Sequence, residues 1–122
     1  MEFNQKEPIY TQIIADIKLK FINGTYKLGQ EIPSRRELAK QLGVNPNTIQ
    51  RAYREMEEMR LIVTARGQGS FMTSDVELLE SLREEALHHA VSQSIETLRS
   101  FGKSDREILA AMKKYLERGA SR

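Results

Sequence analysis

Two helical stretches separated by only two residues constrain this chain more than any other feature. Leu38-Ala39-Lys40-Gln41-Leu42 runs into Gly43-Val44, and Asn45-Pro46 follows at once. A connection this short is too tight for anything except the sharp corner of a helix-turn-helix. Gly43 supplies the left-handed conformation that ends one helix. Asn45 offers a side-chain cap for the next, and Pro46 suits its first position, where the missing N–H would have no partner anyway.

Signals on either side extend this corner into a fold. Three Ser-x-x-Glu boxes, Ser34/Glu37, Ser74/Glu77 and Ser104/Glu107, each mark a helix start. Pro8 opens a further helix in which Ile9, Ile13, Ile17 and Phe21 recur every four residues, ending near Asn23-Gly24. Past Arg60 the period changes: Leu61 to Ala65 and Ser70 to Thr73 read as two short strands joined by the turn Arg66-Gly67-Gln68-Gly69. Two amphipathic helices follow, over 75 to about 100 and 105 to 118, broken by Gly102. The expected fold is mainly α with a small β wing: a winged helix-turn-helix over residues 1–73, then a two-helix C-terminal dimerisation segment over 74–122.

Composition removes several function classes. With 122 residues the chain is expected to be one compact domain, or one small domain plus an appendage, too small for a multi-domain enzyme. The absence of Cys excludes disulfides, thiolate nucleophiles, iron-sulfur clusters and Cys-type zinc sites. No phosphate-binding Gly-x-x-x-x-Gly-Lys loop, His-Glu-x-x-His helix or Gly-x-Ser-x-Gly elbow occurs, so neither catalysis nor a cofactor is expected. His88 and His89 diverge by about 100° on a helix and cannot readily share an ion, so they read as solvated and no metal is expected. No apolar run reaches the ~20 residues of a membrane span. The N-terminus lacks the basic-then-apolar order of a signal peptide, so the expected location is cytoplasmic.

The charge distribution says where to look for a partner. Residues 1–72 carry eleven Lys/Arg against eight Asp/Glu, whereas 73–122 carry eight against nine. Within 33–54, Arg35, Arg36, Lys40, Arg51 and Arg54 face Glu37 alone. On the helix after Asn45, the residues Asn47, Gln50, Arg51 and Arg54 share an arc of about 100°, and Ile49, Ala52, Tyr53 and Met56 occupy the opposed arc. The apolar arc can seat the helix, leaving amides and guanidinium groups to a partner. An α-helix fits the major groove of duplex DNA, where amides pair with adenine and Arg with guanine or phosphate. The cap at Ser34, with Arg35 and Arg36 in the first turn, suits a backbone phosphate. In the wing, Gly67 and Gly69 permit close main-chain approach, and Arg66 and Gln68 flank Gly67. Singly, each feature also serves structure: a helix cap, surface amides, a tight turn. A winged-helix adaptor that docks its basic face on an acidic protein is the other class compatible with these residues.

The stretches Ile32-Pro33-Ser34-Arg35-Arg36-Glu37-Leu38-Ala39, Leu42-Gly43-Val44-Asn45-Pro46-Asn47-Thr48-Ile49-Gln50-Arg51-Ala52-Tyr53 and Gly67-Gln68-Gly69-Ser70-Phe71 resemble the GntR family of bacterial transcription regulators, over about residues 8 to 73. The opening Pro8-Ile9-Tyr10-Thr11-Gln12-Ile13 and the short C-terminal part look like its YtrA-type subfamily. The resemblance implies a homodimeric repressor on a palindromic DNA operator, often controlling a neighbouring transporter operon. Carried over by position, it puts DNA contacts on Ser34, Arg36, Asn45, Asn47, Thr48, Gln50, Arg66 and Gly67. Many relatives with large effector domains have Arg where Pro46 and Gln50 stand, so their operator sequences do not transfer. Arg51 and Arg54, on the same face, are positioned to compensate.

The tail has more apolar surface than its two helices can cover against each other. Leu79, Leu82, Ala86, Leu87, Ala90, Val91, Ile95, Leu98 and Phe101 form a stripe longer than Ile108, Leu109, Met112 and Leu116 can meet. The natural partner is a second copy, which would place two DNA readers on half-sites roughly 34 Å apart or more. The alternative is packing back on the chain's own N-terminal domain. A small-molecule effector stays open as a partner, since no polar constellation in the tail marks a pocket for one.

Overall fold

The structure, a computed structural model, describes residues 1–120. Its elements run α1 (Ile9–Ile22), β1 (Glu31–Ile32), α2 (Arg35–Leu42), α3 (Pro46–Glu58), β2 (Ile62–Ala65), β3 (Gly69–Met72), α4 (Val76–Ser100) and α5 (Asp105–Ala120). They divide into two compact units, Met1–Leu82 and the chain from Arg83 on.

In the first unit, α1 and α2 both pack on α3, and a small antiparallel sheet of order β1-β3-β2 closes the core. The core gathers Ile13, Ile17 and Phe21 of α1, Ile49, Ala52, Tyr53 and Met56 of α3, and Ile32, Leu61, Ile62 and Met72 from the sheet side. Ile9, the first member of the four-residue row, lies exposed, and Ile14 joins the core instead. Four-residue steps advance by about 40° each, so the ends of a long row leave the buried face. Gln12 is buried without being apolar. Its Nε2 donates to the Asn4 and Glu7 carbonyls, and its Oε1 accepts from the Asn4 amide, which ties the N-terminal arm to α1.

The corner forms as the sequence predicts. Ser34 Oγ accepts from the Glu37 amide while the Glu37 carboxylate accepts from the Ser34 amide, completing the capping box of α2. Gly43 ends α2 at φ 63°, ψ 37°. Asn45 Oδ1 accepts from the Asn47 amide at 2.8 Å and opens α3 with Pro46 in its first turn. Ser104 and Glu107 form the same reciprocal pair at α5. There the Ser104 amide, donating to the Glu107 carboxylate, holds that carboxyl below its usual range.

Three expectations are corrected. The wing has a third strand, β1, which places Glu31 opposite Phe71 and Ile32 opposite Ser70 on β3. Two residues are too few for a periodic signal, and the pairing comes from tertiary contact. The cap of α4 is Asp75, not Ser74: Asp75 Oδ1 accepts from the Glu77 and Leu78 amides. Both residues carry a capping oxygen, and the helix takes the carboxylate, which also suits the positive end of the helix dipole. Third, Leu79, assigned above to dimerisation, is only 6% exposed and belongs to the first unit's core, with Leu82 half-buried against it. The first two turns of α4 thus follow the alternative of packing on the chain's own N-terminal domain, because Asp75 starts the helix three residues after β3.

In the second unit, α4 and α5 turn a corner at Gly102, where Arg99 donates through Nε and Nη2 to both oxygens of Asp105. Ile108 is buried, and Ile95, Leu98 and Met112 are half-buried. Ala86, Leu87, Val91, Phe101, Leu109 and Leu116 are exposed.

Candidate nucleic-acid interface

The polar face of α3 stands out because its apolar face is fully committed. Ile49, Ala52, Tyr53 and Met56 are each 0% exposed, and Asn47, Gln50, Arg51 and Arg54 are all exposed. Burial pushes the Tyr53 hydroxyl above its ordinary pKa, so it stays protonated and donates to the Pro33 carbonyl. That bond fixes α3 against the segment leading into α2. The helix cannot roll about its axis without breaking it.

Two open clefts meet on this side of the molecule. One, of about 590 Å³, lies between α2 and α3 and is lined by Arg36, Lys40, Gly43, Pro46, Asn47 and Gln50 among others. The second, of about 440 Å³, lies between the start of α2 and the wing, against Ser34, Arg36, Thr64, Gly67 and Gly69. Arg35 and Arg36 belong to both. The wing turn is closed by the Gln68 amide donating to the Ala65 carbonyl, with Gly67 at φ 76°, a turn geometry that requires positive φ at its third residue. Arg66, Gly67 and Gln68 are exposed at its tip.

The structure therefore gathers Ser34, Arg36, Asn47, Gln50, Gly67 and Gly69 around one concave surface. Among the described residues, no ion pair or hydrogen bond engages the side chains of Arg36, Lys40, Arg54 or Arg66, so their charge is available to a partner. Asn45 spends its side-chain oxygen on the cap, and Thr48 is half-buried. Arg54 is exposed but lines neither cleft.

Two of the nominated arginines have partners within the chain. Arg35 is half-buried, paired through Nη2 with the Glu57 carboxylate and lying over the Tyr53 ring. Its Nε is buried with no partner, so α2 and the last turn of α3 are linked by a charge pair that is only partly satisfied. Arg51 lies on the Tyr10 ring of α1. Both pairings join residues far apart in sequence, and no local spacing signals them. Lys40, counted above in the basic cluster but not among the candidate contacts, lines the same cleft: it sits four positions after Arg36 and so shares its face of α2.

A tight helix-turn-helix with a basic β wing and an exposed amide-bearing second helix is a winged-helix DNA-binding protein. Residues 9–72 match the family described as bacterial regulatory proteins, gntR family. The chain belongs to the GntR family. It is 34% identical over 118 residues to the uncharacterized HTH-type transcriptional regulator YhcF of Bacillus subtilis, covering 97% of this chain and 98% of that one. It is 43% identical over 68 residues to the HTH-type transcriptional repressor YtrA of the same organism, covering 56% of this chain and 52% of YtrA. Among solved structures, a GntR family transcriptional regulator from Listeria monocytogenes superposes with a TM-score of 0.84 at 39% identity, covering 92% of this chain and 98% of that one. The AraR DNA-binding domain in complex with its operator matches 60% of this chain and 88% of its own, with a TM-score of 0.54 and 27% identity. The protein is thus a YtrA-like DNA-binding transcription regulator, and no helix among its described residues is long and apolar enough to cross a membrane.

Proposed function

We propose that this regulator is a homodimeric repressor of a neighbouring, transport-related operon, bound to a palindromic operator. In this reading α3 enters the major groove with Asn47 and Gln50 toward base edges. Arg36, Lys40 and the cap of α2 hold one backbone, and the wing at Arg66–Gly69 approaches the sugar-phosphate ridge beside it. The segment from residue 74 on carries the dimer contacts, beginning beyond the two turns that Leu79 and Leu82 anchor. The observation that carries the reading is the pair of adjoining clefts, which share Arg36 and bring the two helices and the wing to one surface. The names of YtrA, a repressor, and of the AraR–operator complex support it by kinship.

Selection of bound duplexes from a random pool tests it. An inverted repeat with two half-sites is expected, and its enriched spacing reports the distance between the two α3 helices. A single asymmetric site, or no enrichment, overturns the dimeric reading. Transcripts of the adjacent operon are expected to rise on deletion of the regulator; a fall would make it an activator.

A further inference from the structure

The exposed arc of α3 has two edges, and only one faces α2. Asn47 and Gln50 line the cleft that also holds Arg36 and Lys40. Arg51 is turned from Gln50 by about 100° and meets α1 instead. Its guanidinium lies 4.0 Å from the centroid of the Tyr10 ring, and its Nη2 donates to the Tyr10 hydroxyl at 3.0 Å. Its Nε stands 3.6 Å from a Glu55 carboxylate oxygen, beyond hydrogen-bond length.

We propose that Tyr10 and Arg51 form a second backbone anchor, taking a DNA phosphate on the strand opposite to the one that Arg36 and Lys40 serve. The inference rests on the operator-binding reading above. A helix seated in the major groove has a phosphate ridge on each side, about 12 Å apart. Cations along one edge alone would hold it on one rail. Arg51 and Tyr10 occupy the other edge, where a cation of α3 is held by α1 through the Tyr10 ring and hydroxyl.

The local chemistry fits a phosphodiester. A guanidinium has five N–H donors, and the contacts to Tyr10 and Glu55 leave several for the two free phosphate oxygens. The Tyr10 hydroxyl accepts from Arg51 and so keeps its own proton to donate. Stacking on the ring fixes the guanidinium plane before DNA arrives, so less side-chain freedom is lost on binding. A tie that served only to hold α1 on α3 would gain most by being buried, yet the Arg51 side chain is 53% exposed.

The test measures affinity against salt concentration for the full chain on its selected operator and on a random duplex. The variants are Arg51→Gln, Arg51→Lys and Tyr10→Phe, with Arg36→Ala as control and the melting temperature of each recorded. Arg51→Gln is expected to weaken both duplexes about tenfold and to lower the salt slope by about one. Tyr10→Phe, which keeps the ring and its packing, is expected to weaken both about threefold with the slope unchanged. Arg51→Lys restores the slope but only part of the affinity, because an ammonium lacks the planar fork. A wild-type salt slope in Arg51→Gln overturns the inference and leaves a structural tie, which a lowered melting temperature would then register. A loss confined to the operator overturns it also, making Arg51 a base reader. If the wild-type chain and Arg36→Ala both bind with no salt dependence, the operator reading itself fails and takes the anchor with it.

Discussion

The two units handle apolar side chains in opposite ways. In the first, the four apolar residues of α3 are fully covered by α1, α2 and the sheet. In the second, Leu87 is 65% exposed and Leu116 is 76% exposed. A stripe of large apolar side chains left open on a small helical unit is the signature of a surface that is completed by association. The first unit buries its own apolar residues, whereas in the second the stripe stays open, and the proposed second copy is what would cover it. That difference orders the effects expected from substitution.

The largest effect is expected inside the first unit. Tyr53→Ala would open a cavity under α3 and remove the bond to the Pro33 carbonyl, costing about 3–5 kcal/mol in stability. Denaturant unfolding checks it. The milder Tyr53→Phe removes the hydroxyl alone and is expected to cost about 1 kcal/mol. If Tyr53→Ala is tolerated within ~1 kcal/mol, α3 is not seated as described.

Substitutions on the exposed stripe probe the other side of the comparison. The double variant Leu109→Glu and Leu116→Glu is expected to leave the fold of the first unit intact, since neither residue belongs to its core. Sedimentation is expected to show a dimer becoming a monomer. Operator affinity should fall ~10–100-fold, because the second half-site no longer benefits from tethering. An unchanged sedimentation coefficient would move the dimer contacts elsewhere.

Within the nucleic-acid interface the expected effects divide by role. Arg36→Ala and Arg66→Ala should weaken binding to operator and random DNA alike, each lowering the salt slope by about one. Asn47→Ala or Gln50→Ala should cost about 1–3 kcal/mol on the operator and little on random DNA. Equal losses on both duplexes for all four variants would erase the division between anchors and readers.

Legibility from sequence follows the same boundary between local and non-local causes. The face of α3 could be read because a helix repeats its geometry every turn, so Ile49, Ala52, Tyr53 and Met56 announce their own burial. The caps at Ser34, Asn45 and Ser104 could be read because each acts on residues within three positions. β1 could not, since its partner Phe71 lies forty residues away. Nor could the pairing of Arg35 with Glu57 or of Arg51 with Tyr10. Spacing told how many cations share the face but not which of them the chain has already engaged. Leu79 shows the limit from the other direction: its place in an apolar stripe was legible, but whether the stripe meets another copy or the chain's own core was not.

The smallest expected effect lies where α3 gives way to the wing. Arg60 has φ 63°, the one non-glycine residue at positive φ among those described. Its amide donates to the Glu57 carbonyl at 3.0 Å, and the Leu61 amide donates to the Met56 carbonyl at 2.9 Å, the two bonds that close a helix through a left-handed residue. An L-residue there costs roughly 1–2 kcal/mol in backbone strain, while Gly gives back roughly 0.5–1 kcal/mol through its greater freedom in the unfolded chain. The balance makes Arg60→Gly stabilising by about 0.5 kcal/mol, read as a small rise in the denaturant midpoint at unchanged slope. Because Arg60 lines neither cleft, DNA affinity should hold. If the variant is instead destabilised, the strain at this corner is offset by a contact of the Arg60 side chain, and a drop in affinity would extend the nucleic-acid interface to the far end of α3.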